Sequence, residues 1–266
     1  MKRSFIAGLA VSALLAGTPL SAASAADLWK APPAAPVSTW TGCYIGGGVG
    51  YGMWNQDNHA ETYPGLVPIE NVDQTAGGRG WLGRAGGGCD YQIAGSFVIG
   101  ALADYDWSNI HGHFQDLLTG LVGDENLSHS WAAGGRVGYL PYPNLLTFIS
   151  AGYTQAHFDA VTLSLPFAPN TAGFGFGAHT YYGWFLGSGY EYKLGWFNGL
   201  SWKTEYRFSE FQSADLPVFD IPSGAAAGFA EHSDKYLQTI TTGLVWRFNF
   251  GGGGCCAPPP PCCATK

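Results

Sequence analysis

The chain has 266 residues, 40 of them glycine, with aromatic side chains at 15% and charged ones at only 12%. Its 10 Trp, 14 Tyr and 16 Phe give far more apolar surface than a disordered chain carries. The net charge of −7 lacks the basic footprint that nucleic acid demands, so no nucleic-acid partner is expected.

At the N-terminus Lys2-Arg3 precede an apolar run from Phe5 to Ala16, and small residues fill 21–26, ahead of the first acid, Asp27. A basic start, a short apolar stretch and an Ala-x-Ala-like site predict a secretory signal over 1–26, cleaved after Ala25 or Ala26. The apolar run is shorter than the roughly 20 residues of a spanning helix. The first cysteine, Cys43, lies too far along for a lipoprotein. Residues 27–39 read as a Pro/Ala-rich periplasmic lead-in.

From Trp40 to Phe250 the hydrophobic pattern has period two, in eight runs near 40–54, 81–92, 96–109, 130–140, 145–158, 180–193, 200–208 and 235–250. Most exceed an ordinary strand and reach the roughly 9–11 residues with which a tilted strand crosses a bilayer. Long polar connections at 55–80, 110–129, 159–179 and 209–234 alternate with short links at 93–95, 141–144 and 194–199. Long loops on one side and tight turns on the other are the layout of an outer-membrane barrel. The expected fold is therefore all-β: a transmembrane antiparallel up-and-down β-barrel of eight strands over 40–250. A Gly/Cys/Pro-rich periplasmic tail, 251–266, follows it.

The alternation also says which face looks where. In 200–208 Leu200, Trp202, Thr204, Tyr206 and Phe208 share one face and Ser201, Lys203, Glu205 and Arg207 the other. Ile45, Val49, Tyr51 and Met53 stand opposite Gly46, Gly48, Gly50 and Gly52, and Ile240, Leu244 and Trp246 opposite Gly243 and Arg247. An eight-stranded bore is only just wide enough to be filled by side chains. It cannot house about five bulky residues from every strand, so the apolar face is assigned to lipid and the glycines and charges to the lumen. A soluble periplasmic ligand-binding barrel is the competing reading. Strand 145–158 shows no readable phase.

Five bases (Arg84, Arg136, Lys203, Arg207, Arg247) and five acids (Asp90, Asp104, Asp106, Glu191, Glu205) take the inner phase. Equal numbers suit a lumen charge network that neutralises itself and largely plugs the bore; a solvated face is the plainer alternative. Trp40, Tyr44, Trp54, Trp81, Tyr91, Trp107, Trp131 and Tyr142 fall at strand ends, where spanning barrels place aromatic girdles.

Cys43 and Cys89, near matching ends of adjacent strands, are candidates for a cross-strand disulfide, with small apolar filling as the alternative. The tail pairs Cys255-Cys256 and Cys262-Cys263 lack the usual zinc spacing. All seven histidines fall in the long connections or at the strand ends beside them. His111 and His113 have the spacing for chelation of a metal or haem, against the plainer reading of polar surface. No cofactor and no enzymatic activity are expected: Ser128-His129-Ser130 is the one tempting neighbourhood, and adjacent strand residues point to opposite faces.

The segment 40–52 (Trp-Thr-Gly-Cys-Tyr-Ile-Gly-Gly-Gly-Val-Gly-Tyr-Gly), after an Ala/Pro-rich start, resembles the first strand of small α-proteobacterial outer-membrane barrels of the opacity-protein and RopB type. Residues 183–192 and 202–206 are similar to that family's sixth and seventh strands. The resemblance covers roughly 40–250. It implies the porin-like superfamily, outer-membrane location, a role in envelope integrity and surface contact, and haem binding in a few members. Expected partners are outer-membrane lipid and lipopolysaccharide, the barrel-assembly machinery, and a host or environmental surface. Phe250 is the expected barrel-closing aromatic, although sixteen residues follow it. A narrow porin-like channel and a surface haem- or metal-binding protein are the alternative functions.

Overall fold

The structure is a computed structural model that describes residues 39–248 apart from 94, 116–119 and 166, and leaves the side chains of 70–73, 114 and 168–172 aside. The expected signal, nearly all of the lead-in, the tail and Phe250 lie outside the described residues.

Among the described residues eleven antiparallel strands form one sheet. They are β1 (Gly42–Thr62), β2 (Pro68–Ile93), β3 (Phe97–Gln115), β4 (Val122–Tyr142), β5 (Leu145–Phe158), β6 (Val161–Leu165), β7 (Ala168–Phe176), β8 (His179–Lys193), β9 (Leu200–Phe211), β10 (Ala214–Asp220) and β11 (Ala226–Phe248). Eight of them run in the order β1-β2-β3-β4-β5-β8-β9-β11, and β11 pairs back onto β1 from Cys43↔Phe248 to Thr62↔Phe229. That closure makes an eight-strand ring without an open edge, each strand pairing with a neighbour on both sides.

The long connections are strands rather than loops. β1, β2, β3, β4 and β11 continue well past the apolar band, whereas β5, β8 and β9 stop after 14, 15 and 12 residues. Above those ends the short strands take over: β4 pairs β6, β6 pairs β7, β7 pairs β10 and β10 pairs β11. The sheet thus closes a second time, in the order β1-β2-β3-β4-β6-β7-β10-β11, again with eight strands. Polar composition suggested loops because the outer face of this upper tier meets water.

Solvation reverses between the tiers. In the lower one Ile45, Val49, Trp81, Ile99, Val137, Ile149, Leu186, Trp202 (44% exposed) and Trp246 (61%) point outward. In the upper one the apolar residues point inward: Trp54, Ile110, Leu127, Phe158, Leu163, Phe176, Tyr181, Phe211, Val218 and Leu237 form one core. The first tier is arranged for hydrocarbon and the second like an ordinary soluble barrel.

Three aromatics expected in the girdles are accordingly inside. Trp54 is fully buried at the floor of the upper core, and Trp40 caps the short-turn end with Val98, Leu140, Leu146 and Phe148. Tyr44 is buried too. The other five (Trp81, Tyr91, Trp107, Trp131, Tyr142) are exposed on the outer wall. Phe148 and Leu146 also explain why β5 had no legible phase: bulky apolar residues occupy both of its faces, with Ile149 and Tyr153 outward.

Candidate functional site

The lumen of the lower tier holds all ten charged residues assigned to the inner phase, and they sort into two neutral layers. Near the short-turn end Arg136 Nε donates to Asp90 Oδ1 at 2.8 Å and Nη1 reaches Glu191 Oε2 at 3.4 Å. Arg247 completes the layer, its Nη1 2.6 Å from Asp90 Oδ2 and its Nη2 3.1 Å from Glu191 Oε1. Both guanidiniums lie over the Tyr44 ring, Arg136 Cζ at 4.5 Å and Arg247 Cζ at 5.0 Å from its centroid. Two bases face two acids.

At mid-height Arg84 grips Asp106 in a bidentate pair, both contacts 2.7 Å, and Arg207 grips Asp104 in another, both 2.8 Å. Glu205 lies between them, 2.8 Å from Lys203 Nζ and 3.2 Å from Arg207 Nη2, and accepts a hydrogen bond from Ser150 Oγ at 2.9 Å. Three bases face three acids. The strand phase explains the arrangement: Lys203, Glu205 and Arg207 alternate on β9, and Asp104 and Asp106 on β3. Forked Arg–carboxylate pairs of this geometry are the strong, directional kind.

The glycines leave the space for this chemistry. Gly46, Gly48, Gly86, Arg84 and Lys203 help to line a cavity of about 50 Å³, room for no more than a few waters.

Above the second layer lies an ionic group that sequence reading missed. Lys235 Nζ is 2.7 and 2.9 Å from the Glu125 oxygens and also donates to Gln56 Oε1. The rings of Phe158, Trp54 and Tyr181 surround it at 4.4, 5.1 and 5.2 Å. Burial pushes the pKa of Lys235 down, and the Glu125 carboxylate opposes that shift. The signal was present: counting back by twos from Arg247 along β11 reaches Lys235, and Glu125 lay in a stretch expected to be a loop.

Cys43 and Cys89 are register partners on β1 and β2 and are joined by a disulfide, with a Cα–Cα distance of 3.9 Å. His111 and His113 stand exposed on β3, and His113 Nδ1 is 2.5 Å from Asp124 Oδ1. Among the described residues the group of possible metal ligands is elsewhere, at His59, Glu61 and His232. Ser128 Oγ lies 3.2 Å from the neighbouring His129 Nδ1, and the His129 ring stacks on His157.

No family model matches the chain. It is 27% identical over 251 residues to the 31 kDa outer-membrane immunogenic proteins of Brucella melitensis and Brucella suis, covering 90% of this chain and 97% of theirs. Similar solved structures include the outer-membrane protein OprG from Pseudomonas aeruginosa, at 11% identity, covering 79% of this chain and 97% of that one, with a TM-score of 0.49. The outer-membrane protease OmpT from Escherichia coli is another, at 9% identity, covering 78% and 97%, also with a TM-score of 0.49. Closed on eight strands, apolar outside and ionic within, and similar over nine-tenths of its length to Brucella outer-membrane proteins, the chain is a bacterial outer-membrane β-barrel.

Proposed function

We propose that this barrel is a structural and surface-presenting component of the outer envelope, with a bore closed to solutes. The observation that carries the reading is the stack of two neutral ion layers between apolar ends, Trp40 and Leu146 at one and the Trp54–Phe158 core at the other. A conducting pore keeps its charges hydrated, whereas these are paired with one another, seven of the ten buried outright and Arg84, Asp104 and Lys203 largely so. The outer band meets lipid and lipopolysaccharide, and the upper tier meets the environment or a host. The Brucella relatives carry "immunogenic" in their names, which supports surface presentation. Export by a cleaved signal over 1–26 and insertion by the barrel-assembly machinery belong to the same reading.

Planar-bilayer recording tests the closed bore. The wild-type protein is expected to give no steady conductance. A steady wild-type conductance that changes when Arg136 or Glu205 is neutralised overturns the proposal in favour of a narrow channel.

A further inference from the structure

The first and last strands meet along the whole height of the barrel, and near the top of that seam His59 stands directly across from His232. Their rings stack with centroids 4.6 Å apart. Glu61, two residues on from His59, brings Oε1 to 3.2 Å from His59 Nε2. One ligand atom from each of His59, Glu61 and His232 falls within 4.8 Å of the others. From the other side β10 places Asp215 opposite His232, with Oδ1 2.5 Å from Nδ1.

We propose that His59, Glu61 and His232 form a site for a zinc-type divalent metal ion on the outer face of the closing seam, with Asp215 as a positioning residue. The chemistry of the donors favours it. Two imidazole nitrogens and one carboxylate oxygen suit borderline ions such as Zn²⁺ rather than Ca²⁺ or Mg²⁺, which prefer all-oxygen shells. With Asp215 accepting from Nδ1, the Nε2 lone pair of His232 would face a metal, the usual carboxylate–histidine–metal arrangement. Bonds of ~2.0–2.1 Å at tetrahedral angles bring ligand atoms to about 3.3 Å from one another. His59 Nε2 and Glu61 Oε1 are already at that separation, and the ligand atom of His232 lies within 4.8 Å of both.

Glu61 is 6% exposed. A carboxylate buried that far needs a compensating partner, which a metal cation supplies. The histidine side chains, 30% and 23% exposed, leave the fourth coordination position open to solvent. Asp57 and Asp234 line a hollow beside the site with His59, giving an incoming cation an acidic approach. His59 lies six residues beyond Met53, the last outward apolar residue of β1, or roughly 20 Å along the strand, clear of the lipid band. A bound ion ties β1 to β11 where the ring closes.

The test is Zn²⁺ titration of the refolded full-length chain in detergent, followed by calorimetry and, with Co²⁺ as a probe, by visible absorption. Every sample carries Cys255→Ser, Cys256→Ser, Cys262→Ser and Cys263→Ser to silence the tail thiols. The expected result is one ion per chain with tetrahedral Co²⁺ bands. His59→Ala or His232→Ala should weaken Zn²⁺ binding at least tenfold, and Asp215→Asn several-fold with altered Co²⁺ bands. The paired His111→Ala, His113→Ala variant should bind as the parent does. The proposal is overturned if a His59→Ala, His232→Ala protein that still shifts on gels before and after boiling binds Zn²⁺ as the parent does, or if the loss follows His111 and His113 instead. Because detergent suffices, the result stands apart from whether the bore conducts.

Discussion

At the scale of single residues, the lumen ions are the most consequential feature, because each is held by partners on other strands. Arg136 is 2% exposed and shares Asp90 and Glu191 with Arg247. Replacing it by methionine leaves two carboxylates facing one guanidinium in a dry layer. Breaking one side of a buried pair costs about 3–5 kcal/mol, most of it from the uncompensated charge left buried. Urea unfolding of Arg136→Met in lipid vesicles should show a loss of that order. Adding Asp90→Asn should recover part of it, since the layer is then neutral again. A loss under about 1 kcal/mol would mean that water reaches the layer and screens it.

At the scale of elements, the seam between β1 and β11 is set by glycine. Gly48 and Gly243 face each other in register. A Cβ on Gly48 would sit 2.2 Å from the Thr242 carbonyl oxygen and 2.7 Å from Gly243 Cα, so the strands approach more closely than any other residue permits. Gly48→Val should therefore cost at least ~1–3 kcal/mol and lower the fraction that refolds to the heat-modifiable gel form. Gly47→Ala, on the outer face and 3.4 Å from its nearest neighbour, should refold like the parent. Equal refolding of the two would show that the seam opens freely.

The sequence made such elements legible wherever one face was uniformly bulky. The period-two runs in β1, β3, β9 and β11 located the spanning strands, and the parity of Lys203, Glu205 and Arg207 pointed to the lumen. It failed where the surroundings change along a strand. Trp54 has the bulk of a girdle residue, but Met53 ends the lipid band and Trp54 begins the inward-facing core above it. The upper tier was read as loops because its outer face carries Asn, Asp and His, although Trp54, Gln56, Asn58 and Ala60 alternate inward as regularly as any strand. His59, Glu61 and His232 stayed invisible because β1 and β11 lie at opposite ends of the chain, and only the ring closure brings them together.

At the scale of the whole molecule, the inversion of solvation along the barrel axis divides the described tryptophans into an outward and an inward group. Trp81, Trp107, Trp184, Trp202 and Trp246 project from the lower wall, while Trp40 and Trp54 are fully buried inside. In vesicles containing brominated lipid, contact with bromine quenches indole emission at short range, so the outward group should supply most of the quenchable signal. Replacing Trp202 or Trp246 by Phe should lower the quenched fraction. Replacing Trp40 or Trp54 should raise it, because each removes a shielded emitter. Bromine contact requires hydrocarbon against the outer wall, and a soluble barrel carrying the same side chains would show little quenching from either group. Comparable quenching of Trp54 and Trp202 would contradict the two-tier arrangement, since no placement of a single lipid band lets hydrocarbon reach both the outer wall of β9 and the interior of the upper core.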